Sequence, residues 1–494
     1  MNPDRGAPDH WRDRPVTVMG LGLFGGGAGV ARWFAQRGAR VTVTDLRGAD
    51  ELASSLALLA DLELRTVLGR HDEADFRDSE CVIANPAVAP DNPYLALARE
   101  NGVEVTTELG LFLELCCAPQ IWISGTQGKS STANALTQLL RASGRSACLA
   151  GNIGRSLLAE LDPPSPARPD VPARAGHTIV VEVSSYQLEC LPADIGCRRA
   201  ESRVEMIVLT NVLADHLERH GTIDAYVDAK ARLFEVLRPG GTAILPAGDT
   251  RLLQRAAQDC RIVEHAPEAS PELGVRAGHF ALGQLDLGAL DQLHLPGEFQ
   301  IGNVLQALGA AFLSGSPAPV LAAALPELEG LPHRLEDLGT IAGRRIVDNG
   351  VSTTPDSTLA ALGSIQTGCT LMLGGQTKRG LGFEQLATRA ARSATRVITF
   401  GRDRDEIGRS FEVAGVEVAR CATLDDAVPL ALKSTPVGET ILFSPAAASF
   451  DGYSNFRQRA LAFRAALASA ASVASADRAG SPDPTAGCAP RAER

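Results

Sequence analysis

Runs of consecutive apolar residues alternate along this chain with longer stretches in which apolar positions recur at helical spacing, and most runs end in glycine or a polar residue. Strands apolar on both faces belong to parallel sheets covered by helices on each side, so the pattern predicts an α/β protein. "VTVMG" (residues 16–20) leads into the turn "GLGLFGGG", a helix to about Gly38 and the strand "ARVTVTD" ending at Asp45, which together make a βαβ unit. "WISGTQGKSSTANALTQLL" (residues 122–140) reads as strand, glycine turn and helix, and "HTIVVEVSS" and "VEMIVLTN" as further buried strands. From about Pro332, "RRIVDN", "TLMLGG", "RVITFG", "VEVARC" and "TILFSP" alternate with helical stretches and predict another doubly wound sheet. Ligands bind such sheets beyond the carboxyl ends of the strands, here at Asp348, Asn349, Gly374, Gly375, Gly401 and Ser444.

A chain of 494 residues exceeds what one core supports. The pattern divides it into residues 1–118, 119–331 and 332–470, followed by an Ala/Ser/Pro-rich tail, 471–494, expected to be disordered. The Pro/Ala/Arg-rich segment at 163–176 is expected to be an exposed insertion without chemistry. A net charge of −11 without a long Lys/Arg run excludes a nucleic-acid or anionic-membrane surface but leaves room for small anionic ligands. Ten cysteines without a C-x-x-C pair fit reduced thiols better than disulfides or zinc. The charged first residues lack the apolar core of a signal peptide, and no later run reaches the roughly 18 apolar residues of a membrane span. A cytoplasmic protein is expected.

Several residues carry candidate chemistry. Gly20, Gly22 and Gly25 form G-x-G-x-x-G with Asp45 downstream, which suits NAD, another diphosphate ligand, or plain strand-to-helix packing. Lys129 and Ser130 stand at a helix start where phosphates bind, yet Ile123 occupies the position where the usual phosphate loop has its first glycine. Glu182 interrupts an apolar strand and needs a cation, either a paired Arg or Lys or a Mg²⁺ held for nucleotide phosphates. Asp215 and His216 reach a loop at a strand's carboxyl end, where the histidine is structural or serves as a ligand. In "DAYVDAKARLFEVL", Lys230 shares a helix face with Tyr226, Leu233 and Phe234. Burial there disfavours the ammonium, and a neutral amine reacts with CO₂ to give a carbamate suited to binding metal.

The segments "GTQGKSST", "AGNIG", "EVSSYQLE", "TNVLADHLERHG", "AYVDAKARLF", "LPGEFQIGNVLQAL", "LPHRLE" and "SPAAASFDGYSNF" stand in an order that resembles the Mur ligase family, from about Val16 to Leu467. The resemblance explains Ile123, because this family's loop reads G-T-x-G-K-[ST] from Gly125. It implies three α/β domains: a Rossmann-like domain for a UDP-substrate, a P-loop-type ATPase domain, and a Rossmann-like domain that closes over both and holds the amino acid. The implied activity is ATP-dependent addition of D-glutamate to UDP-N-acetylmuramoyl-L-alanine through an acyl phosphate, by a cytoplasmic enzyme whose implied partners are small molecules only and which is implied to be a monomer.

By the same resemblance, Gly125, Thr126, Gln127, Gly128, Lys129, Ser130, Ser131, Asn303, Arg334 and Asn349 bind ATP. Leu23, Phe24, Asp45, Arg47, Asn85, Pro86, Asn152 and Gln187 contact the UDP-substrate. Thr353, Lys378, Ser449 and Phe456 hold glutamate. Lys129, Glu182, His216 and Lys230 are catalytic, with Mg²⁺ on Ser130, Glu182, His216 and carbamylated Lys230. The chain departs from the family's common residues at Gln127, Ser131, Phe299, Gln300, Asn349 and Gly350, with Asp348 the neighbour that could stand in for Asn349. Rival readings are a relative specific for L-glutamate, a non-catalytic UDP-sugar binder, and an NAD-dependent oxidoreductase, the last of which leaves Lys129, Glu182, His216 and Lys230 unexplained.

Overall fold

The computed structural model describes residues 3–7, 9–23, 25–153, 156–161, 177–213, 215–268, 272–377, 381–393 and 396–479. The insertion at 163–176 and the last residues of the tail, 480–494, lie outside them. The chain forms two compact units, Met1–Gly330 and Leu331–Arg494.

The first unit carries two sheets. Strands β1 (Pro15–Met19), β2 (Arg40–Asp45), β3 (Arg65–Leu68), β4 (Cys81–Ala84) and β5 (Glu104–Thr106) pair in parallel in the order β3-β2-β1-β4-β5. The order reverses at β1, and the glycine turn that follows this strand therefore opens at the crevice where such sheets bind ligands. Helix Gly26–Ala35 covers the sheet through Trp33 and Phe34, with Trp11 edge-on to Phe34 at 4.8 Å.

The second sheet has β6 (Gln120–Ser124), β7 (Ala147–Gly151), β8 (Thr178–Glu182), β9 (Val204–Leu209), β10 (Leu237–Pro246), β11 (Arg261–Ala266), β12 (Leu273–Arg276), β13 (His279–Leu282) and β14 (Leu285–Ala289). Their order is β14-β13-β12-β11-β10-β9-β6-β8-β7. Every residue of β6 and β8 is buried, as their unbroken apolar runs require of central parallel strands. Strands β12 to β14 turn back as an antiparallel meander. Between the two sheets, the half-buried Glu108 carboxylate accepts from Ser156 Oγ at 2.5 Å and from the Leu157 amide at 2.8 Å.

The second unit has β15 (Glu336–Ile341), β16 (Arg344–Asp348), β17 (Cys369–Gly374), β18 (Arg396–Phe400), β19 (Val418–Arg420) and β20 (Thr440–Phe443), ordered β15-β16-β20-β17-β18-β19. The five runs read as strands in the sequence form its parallel part, while β15 is an antiparallel edge that sequence reading passed over. Its residues are half-buried or exposed and include Gly339, so no apolar run marks it. The final helix, Phe456–Ala479, continues past the expected boundary at 470, and residues 471–479 of the supposedly disordered tail are helical.

Phe463 anchors that helix, its ring stacked on Phe443 with centroids 4.1 Å apart. Both rings are fully buried. Phe463→Ala should lower the unfolding free energy of this unit by about 3–5 kcal/mol, measured as a shift in its urea midpoint. A midpoint unchanged from wild type would mean that the helix does not depend on this stack.

Candidate active site

The turn after β6 is built around its own backbone. Gly125 has φ +144°, and a Cβ there would lie 1.9 Å from Thr210 Oγ1; at Gly128, φ is +82° and a Cβ would lie 2.2 Å from Asn303 Oδ1. Neither position accepts a side chain. Residues just beyond β9 clamp the turn: Thr210 Oγ1 donates to the Gln127 carbonyl at 2.5 Å, and Asn211 exchanges hydrogen bonds with the Gln127 amide (3.0 Å) and carbonyl (3.1 Å). Thr126 Oγ1 lies 3.2 Å from the Tyr226 hydroxyl. Gly128 then starts helix Lys129–Ala142, whose first turn presents Lys129, Ser130 and Ser131 beside the helix's first backbone N–H groups, an arrangement suited to receiving phosphates.

Strand β6 lies between β8 and β9, so their carboxyl ends flank the turn. On one side stands Glu182, 1% exposed, with the Asn152 amide donating to its Oε1 at 3.2 Å. On the other, the chain beyond β9 carries Asp215 and His216, both exposed, with His216 in the left-handed region at φ 52° and its Nε2 3.6 Å from Asp215 Oδ2. The His216 ring is edge-on to Tyr186 at 5.1 Å, and His220 donates to or accepts from Ser185 Oγ at 3.1 Å. Sequence reading missed Thr210, Asn211, Tyr186 and His220 as site residues. The polar pair directly after an apolar strand and the i,i+4 histidines were the available signals.

Lys230 is 1% exposed, 4.4 Å above the Tyr226 ring centroid. Its Nζ donates to the Gly125 carbonyl at 2.8 Å. Lys129 Nζ donates to the same carbonyl at 3.0 Å and to that of Thr126 at 2.9 Å. Burial, and secondarily the charge of Lys129, pull the Lys230 amine down to about 7, with Asp215 opposing the shift. The apolar helix face read from the sequence is therefore real, and it ends at the phosphate turn.

In the first sheet's crevice, both oxygens of the Asp45 carboxylate accept backbone N–H groups, from Gly22 at 3.1 Å and from Arg47 at 3.0 Å. Asp45 is 4% exposed, so it holds the glycine turn and is poorly placed to take a ribose hydroxyl as an NAD site would need. Asn85 donates to the Gly20 carbonyl at 3.2 Å, and its loop meets the second sheet's side where Arg219 reaches the carbonyls of Ala87 and Val88. Leu23 is half-buried; Phe24 lies outside the described residues. Gln187 Oε1 caps its own helix by accepting from the Ser184 amide at 2.9 Å.

In the second unit, Asn349 is buried and bonded internally, donating to Ser444 Oγ at 2.9 Å and accepting from the Leu335 amide at 3.3 Å. Asp348, the neighbour, is also engaged. It is fully buried, 2.7 Å from His333 Nδ1 and 3.0 Å from Arg464 Nε. His333, Glu336 and Asp348 bring ligand-type atoms within 4.8 Å of one another, but Arg464 bonds to all three residues and fills the position a cation would take. Thr353 and Phe456 are half-buried and Ser449 is buried beyond the strand ends; Arg334 at the head of the unit is half-buried; Lys378 lies outside the described residues.

The chain matches two family descriptions, "Mur ligase middle domain" over residues 123–311 and "Mur ligase MurD-like, N-terminal domain" over residues 14–107. Among curated proteins it is 34% identical to the UDP-N-acetylmuramoylalanine--D-glutamate ligase of a Roseiflexus species, over 91% of this chain and 97% of that one. It is also 34% identical to the ligase of the same name from Geobacter metallireducens, again over 91% and 97%. Among solved structures, the UDP-N-acetylmuramate-alanine ligase of Thermotoga maritima shares the fold with a TM-score of 0.59 and 17% identity, covering 92% of this chain and 99% of that one. With the phosphate turn, Glu182 and Lys230 gathered on one sheet edge and relatives this similar over nine-tenths of its length, the chain belongs to the Mur ligase family.

Proposed function

We infer that this chain is an ATP-dependent ligase that joins D-glutamate to UDP-N-acetylmuramoyl-L-alanine in peptidoglycan precursor synthesis. The observation that carries the reading is full-length similarity to ligases of that name, in a chain whose phosphate turn is intact. In the reaction, an alanine carboxylate oxygen attacks the γ-phosphorus of ATP and ADP leaves. The glutamate amine then attacks the acyl carbon, the amide forms, and phosphate leaves as the amine gives up its proton. The backbone N–H groups at the start of helix Lys129–Ala142 hold the phosphates, and Lys129 moves its ammonium from the turn's carbonyls to the transferring phosphoryl group. The crevice beyond β1 receives the UDP-substrate through the glycine turn, Arg47 and Asn85, with Asn152 and Gln187 toward the sugar. Thr353, Lys378, Ser449 and Phe456 are proposed to fix the two carboxylates of glutamate, which orients its amine. The enzyme acts in the cytoplasm as a monomer on this reading; no described helix is long and apolar enough to cross a membrane.

The donor set fits a hard cation: a buried carboxylate at Glu182, the Ser130 hydroxyl and the accessible His216 imidazole surround the turn. Mg²⁺ held there would neutralise phosphate charge and polarise the reacting carboxylate. Lys230 fits the carbamate role through its own chemistry. At neutral pH about half of an amine with pKa near 7 is uncharged, and that form attacks CO₂, forming an N–C bond and releasing a proton.

Phosphate release from ATP should require both UDP-N-acetylmuramoyl-L-alanine and an amino acid, with D-glutamate strongly preferred over L-glutamate. Equal rates with the two enantiomers would overturn the assignment. Lys230→Ala should lose most activity, on the order of 10²–10³-fold in kcat, and regain part of it with short carboxylic acids. For wild type stripped of CO₂, reactivation at a constant concentration of dissolved CO₂ should speed up as pH rises through about 7 and level off above it, because the lowered pKa makes the reactive neutral amine predominate above that value. Normal turnover by Lys230→Ala would make the lysine structural.

A further inference from the structure

Arg334 stands between two residues whose backbone is left-handed, His333 at φ 62° and Leu335 at φ 49°. Neither is glycine, and a bulky side chain at such a φ is disfavoured. Strain of this kind persists only where the surroundings over-determine the conformation. Here they do. The His333 carbonyl accepts from the Val351 amide at 3.2 Å, and the Leu335 amide donates to Asn349 Oδ1 at 3.3 Å, both partners lying in the loop beyond β16. Leu335 is 2% exposed and packs in the core of the unit. His333 is gripped at two atoms: its amide donates to Glu336 Oε2 at 2.7 Å, and its Nδ1 lies 2.7 Å from Asp348 Oδ2.

The two carboxylates that grip His333 oppose each other. Glu336 and Asp348 are partners across the antiparallel pair β15 and β16, and like charges directly opposite destabilise a sheet. Asp348 is also fully buried, where an uncompensated charge is costly. One cation answers both. Arg464, on the final helix, donates from Nε to Asp348 Oδ2 at 3.0 Å and from Nη2 to Glu336 Oε2. Without it the half-buried Glu336 would be driven toward solvent and off the His333 amide, while Asp348 kept His333 and the Gly350 amide. The grip on the left-handed segment would then fail on one side.

We propose that Arg464 is a positioning residue for Arg334. By neutralising Glu336 and Asp348 together it keeps both on His333, and so holds the left-handed backbone that sets where Arg334 stands. The proposal rests on the reading above that Arg334 serves ATP.

Steady-state phosphate release by wild type, Arg464→Met, Arg334→Ala and the double variant tests it, with the urea midpoint of each. Arg464→Met should lower kcat/KM for ATP on the order of tenfold, the scale of one hydrogen bond to a charged group, and leave KM for D-glutamate as in wild type. Arg464→Lys, which keeps a positive charge beside the two carboxylates, should recover part of the loss. The double variant should be no slower than Arg334→Ala, because Arg464 acts only through the arginine already removed. Additive losses in the double variant, or wild-type kcat/KM for ATP in Arg464→Met, overturn the inference and leave Arg464 as a brace of the final helix. So does a rise in KM for D-glutamate matching that for ATP, which would mark a general disturbance of the unit. If Arg464→Met loses its urea transition, Glu336→Ala, which releases the His333 amide, decides in its place: it should weaken the use of ATP alone and add nothing to Arg334→Ala, and any other result overturns the inference. Wild-type use of ATP by Arg334→Ala would instead overturn the assignment of Arg334 to ATP, and the inference with it.

Discussion

One backbone carbonyl, that of Gly125, accepts hydrogen bonds from two lysine amines, Lys129 at 3.0 Å and Lys230 at 2.8 Å. Much of the first unit serves this meeting. The turn must bring the carbonyl into reach of a helix from either side, which demands φ +144° and contact with Thr210 too close for any Cβ. Thr210 and Asn211 then fix the turn by bonding Gln127, and Tyr226 and Thr126 tie it to the helix that carries Lys230. Two like charges sharing one acceptor repel, and the buried one yields: Lys230 lies deeper and loses its proton more readily. On the proposed function, a phosphate group arriving at the turn would draw Lys129 away and change that balance.

The sheet order makes the meeting possible. With β8 and β9 on either side of β6, Glu182 and the Asp215–His216 segment are delivered to opposite flanks of the turn without any long excursion of the chain. The first sheet is held to this edge by polar contacts, Glu108 to the segment at Ser156 and Arg219 to the Asn85 loop. Arg219 also pairs with Glu189 at 2.9 Å, so one side chain joins the loop beyond β4 to the helices beyond β8 and β9.

The sequence showed most clearly what depends on local repetition. Unbroken apolar runs marked the parallel strands because both their faces are buried, and helical spacing put Lys230 on an apolar face because i,i+3 and i,i+4 neighbours share one side. Edge elements escaped because they lack that signal: β15 is half exposed, and the meander β12–β14 carries short strands with glycine turns between them. The clamp at Thr210 and Asn211 was hidden for another reason. These residues act on Gln127 across more than eighty positions of chain, and no local pattern encodes such a pairing. Asp348 and Asn349 show what strand-end position alone leaves open. Their location at a strand's carboxyl end suggested ligand binding, yet His333, Arg464 and Ser444 occupy their side chains, since a polar group buried there must be satisfied whether or not a ligand comes.

Two fully buried cations show how side-chain chemistry decides what such a position can do. Arg459, 0% exposed, donates to the carbonyls of Gly374 at 3.0 Å and Ser352 at 3.4 Å, binding together the loops beyond β17 and β16. Lys230 likewise donates to a carbonyl from an almost dry site. Burial lowers both, Arg459 to about 10 and Lys230 to about 7. The guanidinium starts so high that it keeps its proton at neutral pH and remains a fixed brace with several donors. The amine crosses the physiological range, and its uncharged form has a lone pair to react with. Exchanging the two residue types would therefore fail at both sites: a lysine could not span two strand-end loops with the same donors, and an arginine beneath the turn could not shed its charge at neutral pH, as the role proposed for Lys230 requires.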